Sequence, residues 1–391
     1  MKRLLLLGGG HAHVHVLQQL ARQALPATEV VLLTPFARQM YSGMVPGLVA
    51  GHYSADACAI PLAPLAQAAG VRLLLDAATG VDTAAREVKL ADGRSLPYDV
   101  LAIDTGAVMD RQRVPGAHEH ALFVRPIEHF VQLLDPLLGL AARRPLDVVV
   151  VGGGAAGVEL ALALQHRLAA RVGAKAREVG RGGHGARIAL VTGGGLPLQG
   201  HAAGVVKRVV KVLARQRITV FQDTCAEVRA NTLILGSGAR LACDAAVMAT
   251  GAQAPPWLAG SGLQLDEQGF VLTGPCLQSL SHPEVFAVGD VASRSDHPHA
   301  RSGVYAVRAG PPLALNLRHF LAGGALLPHA PQSRTLNLIS CGEKRAIVSW
   351  GEWSTQGAWA WWWKDRIDRA FVARYGGGGA AQAAKALTPE A

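Results

Sequence analysis

The chain has 391 residues, 50% of them hydrophobic, which is enough for two or three domains with substantial cores. Lys and Arg outnumber Asp and Glu by 38 to 28, yet the basic residues are scattered without a nucleic-acid-binding motif, so we predict no nucleic-acid partner. The five cysteines form no CxxC pair, which excludes a dithiol relay and an ordinary zinc site, and we predict no metal. Because no run approaches the ~18 apolar residues of a spanning helix, we expect a cytoplasmic protein, at most peripheral on the cytoplasmic face of a membrane.

The first predicted strand leads directly into a glycine-rich turn. Leu4 to Leu7 form a continuous apolar run, the turn reads Gly8-Gly-Gly-His-Ala-His13, and apolar positions at helical spacing follow it. Glycines allow a strand to reverse sharply into a helix while the backbone touches a pyrophosphate, which the free N–H groups of the helix N-terminus bind. The sequence therefore predicts a dinucleotide-binding turn, with His13 in place of its usual third glycine.

A second turn of the same kind, Gly152-Gly-Gly-Ala-Ala-Gly157, shows that the chain contains a repeat. From Gly8 to Gly106 is 98 residues, and from Gly152 to Gly251 is 99. An aspartate stands seven residues before the later glycine in both copies, as Asp99 and Asp244. Two dinucleotide-binding units in one chain indicate two dinucleotides and hydride transfer between them.

These elements divide the chain into five parts. We predict a first dinucleotide-binding domain at residues 1–107 and 254–325, a connection at 108–140 and a second dinucleotide-binding domain at 141–253. A C-terminal cap at 326–375 and a disordered tail at 376–391 follow. Inside the second domain, residues 172–187 are rich in Gly, Arg and Lys and are interpreted as a solvated loop between a helix and a strand.

A third segment, Val285 to Ser293, reads as a short buried strand that ends in Gly289-Asp290. A carboxylate at this place can accept hydrogen bonds from the ribityl hydroxyls of a flavin without a counterion. With the two glycine turns, the chain resembles flavoproteins with two dinucleotide domains. The resemblance implies an α/β fold of two Rossmann-like domains with a small C-terminal α+β cap, in which the first domain binds FAD and the second binds NADH or NADPH.

Within that superfamily the chain resembles the type II NADH dehydrogenase branch, through Gly157-Val-Glu-Leu-Ala161 and the absence of a redox dithiol. It is still more similar to a subgroup often found fused ahead of selenophosphate synthetase. The segments that carry this similarity are Gly8 to His13, Tyr41 to Tyr53, Ala252 to Trp257, Gly303 to Arg308 and Lys364 to Arg369.

The resemblance implies roles for individual residues of the FAD site. It implies contacts with the pyrophosphate, the adenine, the flavin region and the ribityl chain from Gly8, Gly10, His11, Ala12, Ala78, Thr105, Gly106, Gly289 and Asp290. It also implies that the amides of Val304 and Tyr305, at a helix N-terminus, face the flavin pyrimidine carbonyl. Thr34 stands where an acidic residue usually holds the ribose.

For the second nucleotide, the resemblance implies a pyrophosphate site and a nearby turn formed by Gly152, Gly154, Ala155, Gly157 and Gly251. Thr192 again replaces the usual acidic residue, so NADH and NADPH stay alternatives. Glu159 is the candidate catalytic residue, which orders the nicotinamide or relays protons. An equal alternative is that it only interacts with the helix dipole.

The electron acceptor is the least defined part of the prediction. Where the type II branch has glutamines beside the flavin, this chain has Val304 and Arg308, so the acceptor pocket differs chemically. The leading expectation is a quinone or another small acceptor. The alternatives are a selenium or sulfur compound, and a redox-sensing flavoprotein that acts as an interaction partner.

The C-terminal segment predicts an amphipathic helix. Its apolar stripe consists of Trp359, Trp362, Trp363, Ile367, Ala370 and Phe371, and its polar face of Lys364, Asp365, Asp368 and Arg369. Tryptophan-rich stripes with cationic flanks are typical of helices that lie on an anionic membrane surface. The alternatives are packing on the first domain and packing on a second subunit in a homodimer.

Overall fold

The structure, a computed structural model, describes residues 1–179 and 186–376. In chain order, the first part contains β1 (Lys2–Leu7), α1 (His11–Arg22), β2 (Thr28–Thr34), β3 (Arg38–Met40), α2 (Val45–Ala50), β4 (Ala59–Pro61), α3 (Leu62–Ala68), β5 (Arg72–Leu75), β6 (Ala78–Asp82), β7 (Glu87–Leu90), β8 (Ser95–Pro97) and β9 (Val100–Ile103).

The middle part contains α4 (Ala117–His120), β10 (Ala121–Phe123), α5 (Ile127–Ala141), β11 (Asp147–Val151), α6 (Ala155–Val179), β12 (Arg187–Val191), α7 (Ala203–Arg215), β13 (Thr219–Phe221), β14 (Cys225–Arg229), β15 (Thr232–Leu235), β16 (Arg240–Ala242) and β17 (Ala245–Met248). The last part contains β18 (Val271–Thr273), β19 (Val285–Ala287), β20 (Ala292–Arg294), α8 (Gly303–Leu321), β21 (Leu336–Cys341), β22 (Glu343–Trp350), β23 (Trp353–Gly357) and α9 (Ala358–Tyr375).

Two parallel sheets of the same design form the centre of the molecule. The first has five strands in the order β19-β9-β1-β2-β5, and the second has five in the order β10-β17-β11-β12-β13. Central strands of parallel sheets are buried on both faces, which explains the continuous apolar runs of β1 and β11. Each unit also carries a three-stranded antiparallel meander, β6-β7-β8 or β14-β15-β16. The predicted α/β fold with parallel sheets is confirmed.

The repeated aspartates have a structural role. Asp99 accepts a hydrogen bond from the Arg3 N–H at 2.6 Å, and its own N–H donates to Arg3 O at 2.9 Å. Asp244 makes the same pair of contacts with Asp147, at 2.8 and 2.7 Å. Both aspartates therefore fasten the end of a meander to the start of the central strand.

Two segments differ from the sequence-based expectation. The predicted connection 108–140 contributes β10, which adds an edge strand to the second sheet. Helix α6 continues to Val179, so much of the segment 172–187 is helical where we predicted a loop. Few residues in this stretch disfavour a helix, so α6 continues beyond its buried apolar positions. The local Gly and Arg content had led us to predict a loop there. Residues 180–185 of that loop, and 377–391 of the predicted tail, lie outside the described residues.

The C-terminal cap packs against both units. Its sheet, β21-β22-β23, is antiparallel, and one apolar cluster combines Met44 and Val49 of the first unit with Leu164 of α6 and Ile339 and Ile347 of the cap. Helix α9 then lies across the first unit. Segment 41–53, α6 and α9 thus meet beside the carboxyl ends of the first sheet.

Candidate functional site

A cavity of about 340 Å³ opens at the carboxyl ends of β1, β2 and β9. In parallel α/β sheets, ligands bind at this edge. Its wall contains eight residues that were predicted for the first dinucleotide: Gly8, Gly10, His11, Thr34, Ala78, Thr105, Gly106 and Asp290. The structure thus brings most of the predicted first site together, although these residues are distributed over almost 300 positions.

The first glycine turn has no room for side chains. Gly8 has φ +96°, and a Cβ atom there would lie 2.5 Å from the Asp104 carbonyl oxygen. Gly9 would meet Leu62 at 2.6 Å. This close approach of backbone to backbone is the reason for glycine and leaves a main-chain cradle beside the cavity, which fits a dinucleotide.

His13 occupies the place of the third glycine. Its Nδ1 donates to the Gly8 carbonyl oxygen at 2.6 Å, and the ring is fully buried. Burial lowers the pKa of His13 to about 4, so the ring is neutral near pH 7. Among the described residues, Nε2 has no hydrogen-bond partner. The hydrogen bond from the His13 imidazole to Gly8 O therefore closes the turn.

Asp104, at the end of β9, is a site residue that the sequence analysis missed. Its Oδ2 accepts hydrogen bonds from the N–H groups of Ala12 at 2.8 Å and His13 at 3.0 Å. Burial raises the pKa of this carboxyl to about 7, although the two N–H groups oppose the change. The Ala12 N–H, which we expected to bind a pyrophosphate, therefore donates its hydrogen bond to the Asp104 carboxyl group instead.

Of the Gly289-Asp290 segment, Asp290 lines the cavity and Gly289 is not part of its wall. Gly289 has φ +71°, and the Asp290 carboxylate accepts a hydrogen bond from Arg125 Nη2 at 2.9 Å. We expected this carboxylate to act without a counterion, and that expectation is wrong because Arg125 pairs with it. A negative charge that is mostly shielded from water requires such a partner.

The start of α8 also differs from expectation. Ser302 caps the helix, since its Oγ accepts the Val304 N–H at 3.4 Å and its carbonyl oxygen accepts the Tyr305 N–H at 3.0 Å. Both amides were expected to face the flavin, but they bond to Ser302. Gly303 and Ala306 of this helix line the cavity instead, and Arg308 is exposed outside its wall.

The second glycine turn is open on its outer side. Gly152 has φ +136°, and a Cβ atom there would overlap Ala249 O, while one on Gly157 would overlap Gly152 O. In contrast, a Cβ atom on Gly154 or Gly251 would meet nothing within 4 Å. Gly154 and the adjacent Ala155 are exposed. This combination of tight packing behind and free space in front fits a second bound pyrophosphate.

Thr192 does not present its hydroxyl proton to a ribose. The hydroxyl donates to the carbonyl oxygens of Gly195 and Phe221, the latter at 3.2 Å. In the first copy, Thr34 is buried but lines the cavity, and its Oγ1 accepts the Phe36 N–H at 3.5 Å. Both threonines thus stabilise the loop that follows the second strand.

Glu159 points to the cap. Its Oε1 accepts a hydrogen bond from the Ser340 N–H at 2.7 Å. Burial raises the pKa of Glu159 to about 7, the positive charge of Lys364 lowers it, and that of Asp368 raises it. The residue is not part of the cavity wall. It lies at the junction of α6, β21 and α9, where it can hold a proton near neutral pH.

Helix α9 directs charged side chains inward and apolar side chains outward, whereas an ordinary surface helix does the reverse. Asp368 is buried and the Lys364 side chain is only 12% exposed; the two form an ion pair of 2.6 Å, and Lys364 also donates to Gly43 O. Four apolar side chains are exposed instead, at 50%, 60%, 38% and 41% for Trp359, Trp362, Trp363 and Ile367.

Phe371 departs from this exposed stripe, because it stacks on Tyr41 at 4.4 Å. For this residue the contact agrees with the alternative that the stripe packs on the first domain. Trp350 and Trp353 of the cap are also more than half exposed, at 52% and 54%. In the described ranges, the helices include none that is long and apolar enough to cross a membrane, and no cluster of three or more metal-ligating side chains occurs.

Comparisons with known proteins agree with this architecture. The pyridine nucleotide-disulphide oxidoreductase family matches residues 2–310. An NADH dehydrogenase-like protein of Mycobacterium tuberculosis is 30% identical over 315 residues, which cover 76% of this chain and 75% of the relative. A demethylphylloquinone reductase of Synechocystis is 25% identical over 305 residues, covering 75% and 72%. The structure of NDH2 from Plasmodium falciparum in complex with NADH has a TM-score of 0.80 at 14% identity, covering 96% and 99%, which shows a shared fold.

Proposed function

Because the chain belongs to the pyridine nucleotide-disulphide oxidoreductase family, we propose that it oxidises NADH or NADPH through a non-covalently bound FAD and reduces a quinone. When bound, FAD would supply the redox chemistry: it would take a hydride from the nicotinamide, and the acceptor would receive those two electrons and the proton of the hydride together with one proton from solvent. The observation that carries the proposal is the pair of glycine turns at the same place in two sheets of the same order, one in the cavity wall and one open to solvent.

In this proposal, different residues of the chain bind FAD and NADH or NADPH. The backbone around Gly8 and the Asp290–Arg125 pair bind FAD, since the remaining lone pairs of Asp290 can accept ribityl hydroxyl groups. The free space at Gly154 receives the pyrophosphate of NADH or NADPH. Glu159 holds a proton close to the contact between the two units, where it serves as the proton relay.

A quinone is the acceptor that the relatives favour, because one of them is a demethylphylloquinone reductase. The resemblance to the subgroup fused to selenophosphate synthetase makes a selenium or sulfur compound the alternative acceptor. Thiol chemistry at Cys58 and Cys341 is disfavoured, because burial raises the pKa of both thiols to about 12.

A membrane is the surface from which a quinone would be taken. The exposed side chains Trp359, Trp362, Trp363 and Ile367 form one apolar stripe, and the exposed Arg366 lies 5.9 Å from the Trp362 ring. Indole rings beside guanidinium groups suit an anionic lipid interface. We therefore propose that the stripe binds a membrane surface, at the cytoplasmic face as the sequence led us to expect, with a second subunit as the alternative occupant.

The decisive experiment is an anaerobic reduction of the purified protein followed by an acceptor screen. NADH and NADPH are each added while the flavin absorbance is recorded, and the pre-reduced protein is then mixed with a menaquinone analogue, polysulfide, selenite or oxygen. Rapid bleaching and rapid reoxidation by the quinone support the proposal. Slow bleaching with a persistent charge-transfer band indicates a redox sensor, and preferential reoxidation by selenite or polysulfide indicates the alternative acceptor.

A further inference from the structure

The two glycine turns are copies of each other, and a single residue accounts for a large difference between them. Ala249 follows β17 in the second copy, whereas Asp104 follows β9 in the first. A Cβ atom on Gly154 would meet nothing within 4 Å, but one on Gly10 would overlap both the carboxyl group and the main-chain carbonyl oxygen of Asp104. The main chain and the side chain of Asp104 therefore both occupy space that is open in the second copy.

The two oxygens of Asp104 have different surroundings. Oδ2 accepts both N–H groups at the start of α1, from Ala12 and His13. Oδ1 lies near Gly289, 2.9 Å from the position of a Cβ atom there, and no described residue donates a hydrogen bond to it. Asp104 is only 3% exposed, yet it forms part of the cavity wall. One oxygen thus organises the helix, and the other lies between Gly10 and Gly289 without a donor among the described residues.

A diphosphate placed in this cavity meets that free oxygen. Phosphate oxygens only accept hydrogen bonds and carry negative charge, so an ionised Asp104 would repel them. A neutral carboxyl group can instead donate its O–H from Oδ1, while Oδ2 remains the acceptor for the two amides. The protonation state of Asp104 therefore decides whether the side chain opposes or assists the ligand.

We propose that Asp104 is a positioning residue of the first dinucleotide site, which binds the diphosphate of FAD in its neutral form, so that FAD binding takes up one proton from solvent wherever Asp104 is ionised in the free protein. The inference rests on the proposed function, because FAD is the ligand. The proton stays on Oδ1, where it forms the hydrogen bond to a phosphate oxygen, and no covalent bond changes in FAD.

Other titratable groups lie around Asp104. Glu128 of α5 and Asp76, which follows β5, line the same cavity, and burial raises the pKa of the Glu128 carboxyl. Burial lowers the pKa values of His11 and His13 on α1 to about 4, so both rings are neutral above about pH 5. Asp290, on the turn after β19, is paired with Arg125. Helix α8 contributes only Gly303 and Ala306 to this cavity. The pKa of Asp104 itself, raised by burial to about 7, lies within reach of an ordinary titration.

The sign of the pH dependence follows. Below about pH 7 the free protein already carries the proton, so the affinity for FAD is constant there. Above it, the proton must be taken up on binding, so the affinity falls about tenfold per pH unit until the pKa of the complex is reached. The negative diphosphate raises the Asp104 pKa further in the complex, which widens this range.

The test is a titration of the apoprotein with FAD between about pH 6 and pH 9, followed by flavin fluorescence. Calorimetry in two buffers of different ionisation enthalpy counts the protons taken up. The wild type should lose about a hundredfold in affinity over two pH units above the Asp104 pKa and take up close to one proton at about pH 8.

The variant Asp104→Asn keeps one acceptor and one donor at the same places. It should bind FAD as tightly as the wild type at about pH 6, without pH dependence and without proton uptake. The control variant Asp290→Asn changes another carboxyl group of the cavity. It should weaken binding at every pH and keep the wild-type slope, but the loss of affinity should begin at a lower pH, because the Asp290 charge contributes to the raised pKa of Asp104.

Wild-type affinity that does not change with pH, with no proton uptake, would overturn the inference while leaving FAD as the cofactor. Persistence of the pH dependence in Asp104→Asn would also overturn it. If the protein binds FAD at no pH, both the proposed function and this inference fail. Should Asp104→Asn not fold, proton uptake by the wild type still decides, with Asp290→Asn as the comparison.

Discussion

Arg125 Nη2 lies 2.9 Å from Asp290 Oδ2, and this ion pair joins two residues that are 165 positions apart. Arg125 comes from the segment between the two units, and Asp290 from the turn after β19. The Asp290 side chain is 13% exposed, against 35% for Arg125. The pair therefore fixes a mostly buried carboxylate in the cavity wall and connects the cavity to the start of the second unit.

Replacement of Asp290 should release the flavin. Asp290→Ala removes hydrogen bonds to a charged acceptor, worth about 1.5 to 3 kcal/mol each, and leaves the Arg125 charge without its partner. We expect at least a tenfold loss of FAD affinity, measured as the flavin-to-protein absorbance ratio after gel filtration. Asp92→Ala is the control, because Asp92 lies in an exposed turn. Full flavin occupancy in Asp290→Ala would contradict its place in the FAD site.

The two glycine turns should respond differently to the same substitution. Gly154→Val places its side chain in open space, so the protein should fold, retain FAD and be reduced by dithionite, but not by NADH or NADPH. Gly10→Val would overlap Asp104 and should abolish FAD binding. Anaerobic flavin spectra measure both outcomes. If Gly154→Val loses FAD but is otherwise folded, the nucleotides are assigned to the wrong units.

The sequence predicted the features that depend on local pattern. The turns at Gly8 and Gly152 follow apolar strands, so the two parallel sheets were predictable from spacing and periodicity. Features that depend on contacts between residues far apart in the sequence were not predictable. Asp104 lies 92 residues from Ala12, and no local pattern indicates that its side chain reaches the start of α1. Neither the pairing of Arg125 with Asp290 nor the inward direction of Lys364 could be predicted for the same reason.

Glu159 should make the stability of the protein depend on pH. Burial raises its pKa from 4.5 to about 7, so the ionised form is disfavoured in the folded state. This contribution to stability is present below about pH 4.5 and is lost as the pH rises through about 7. Glu159→Gln keeps the acceptor for the Ser340 N–H and removes the charge, so it should gain at most about 3 kcal/mol on the wild type between these limits.

Denaturant unfolding of wild type and Glu159→Gln at about pH 5 and pH 8 measures this difference. The comparison with the variant cancels the contribution of other titrating groups, including Asp104. Equal changes in the two proteins would show that Glu159 does not titrate in this range. The same variant tests the proton relay, because it should slow reoxidation of the reduced flavin by a quinone while leaving reduction by NADH or NADPH intact.

The exposed tryptophans of α9 should mediate reversible binding to anionic membranes. Trp359 and Trp362 are 50% and 60% exposed, and burial of each indole in the lipid interface contributes roughly 1.5 kcal/mol or more. The double variant Trp359→Ser with Trp362→Ser should therefore weaken sedimentation with anionic liposomes about a hundredfold. Exposed arginines such as Arg366 add about 1 kcal/mol each near an anionic surface, so binding should also decrease as the salt concentration rises.

Substitution is a sharper test than removal of the helix. Lys364, which we predicted on the polar face of α9, is only 12% exposed and contacts Gly43 and Asp368, so truncation of α9 would damage the first unit. The matched control replaces two exposed leucines of α5, Leu133→Ser with Leu140→Ser, and should sediment like the wild type. If the wild type does not sediment at low salt and the tryptophan variant changes from dimer to monomer in gel filtration, the stripe is a subunit interface. In that case a quinone would have to reach the flavin without help from α9, and the proposal of a membrane-bound acceptor would lose its structural support.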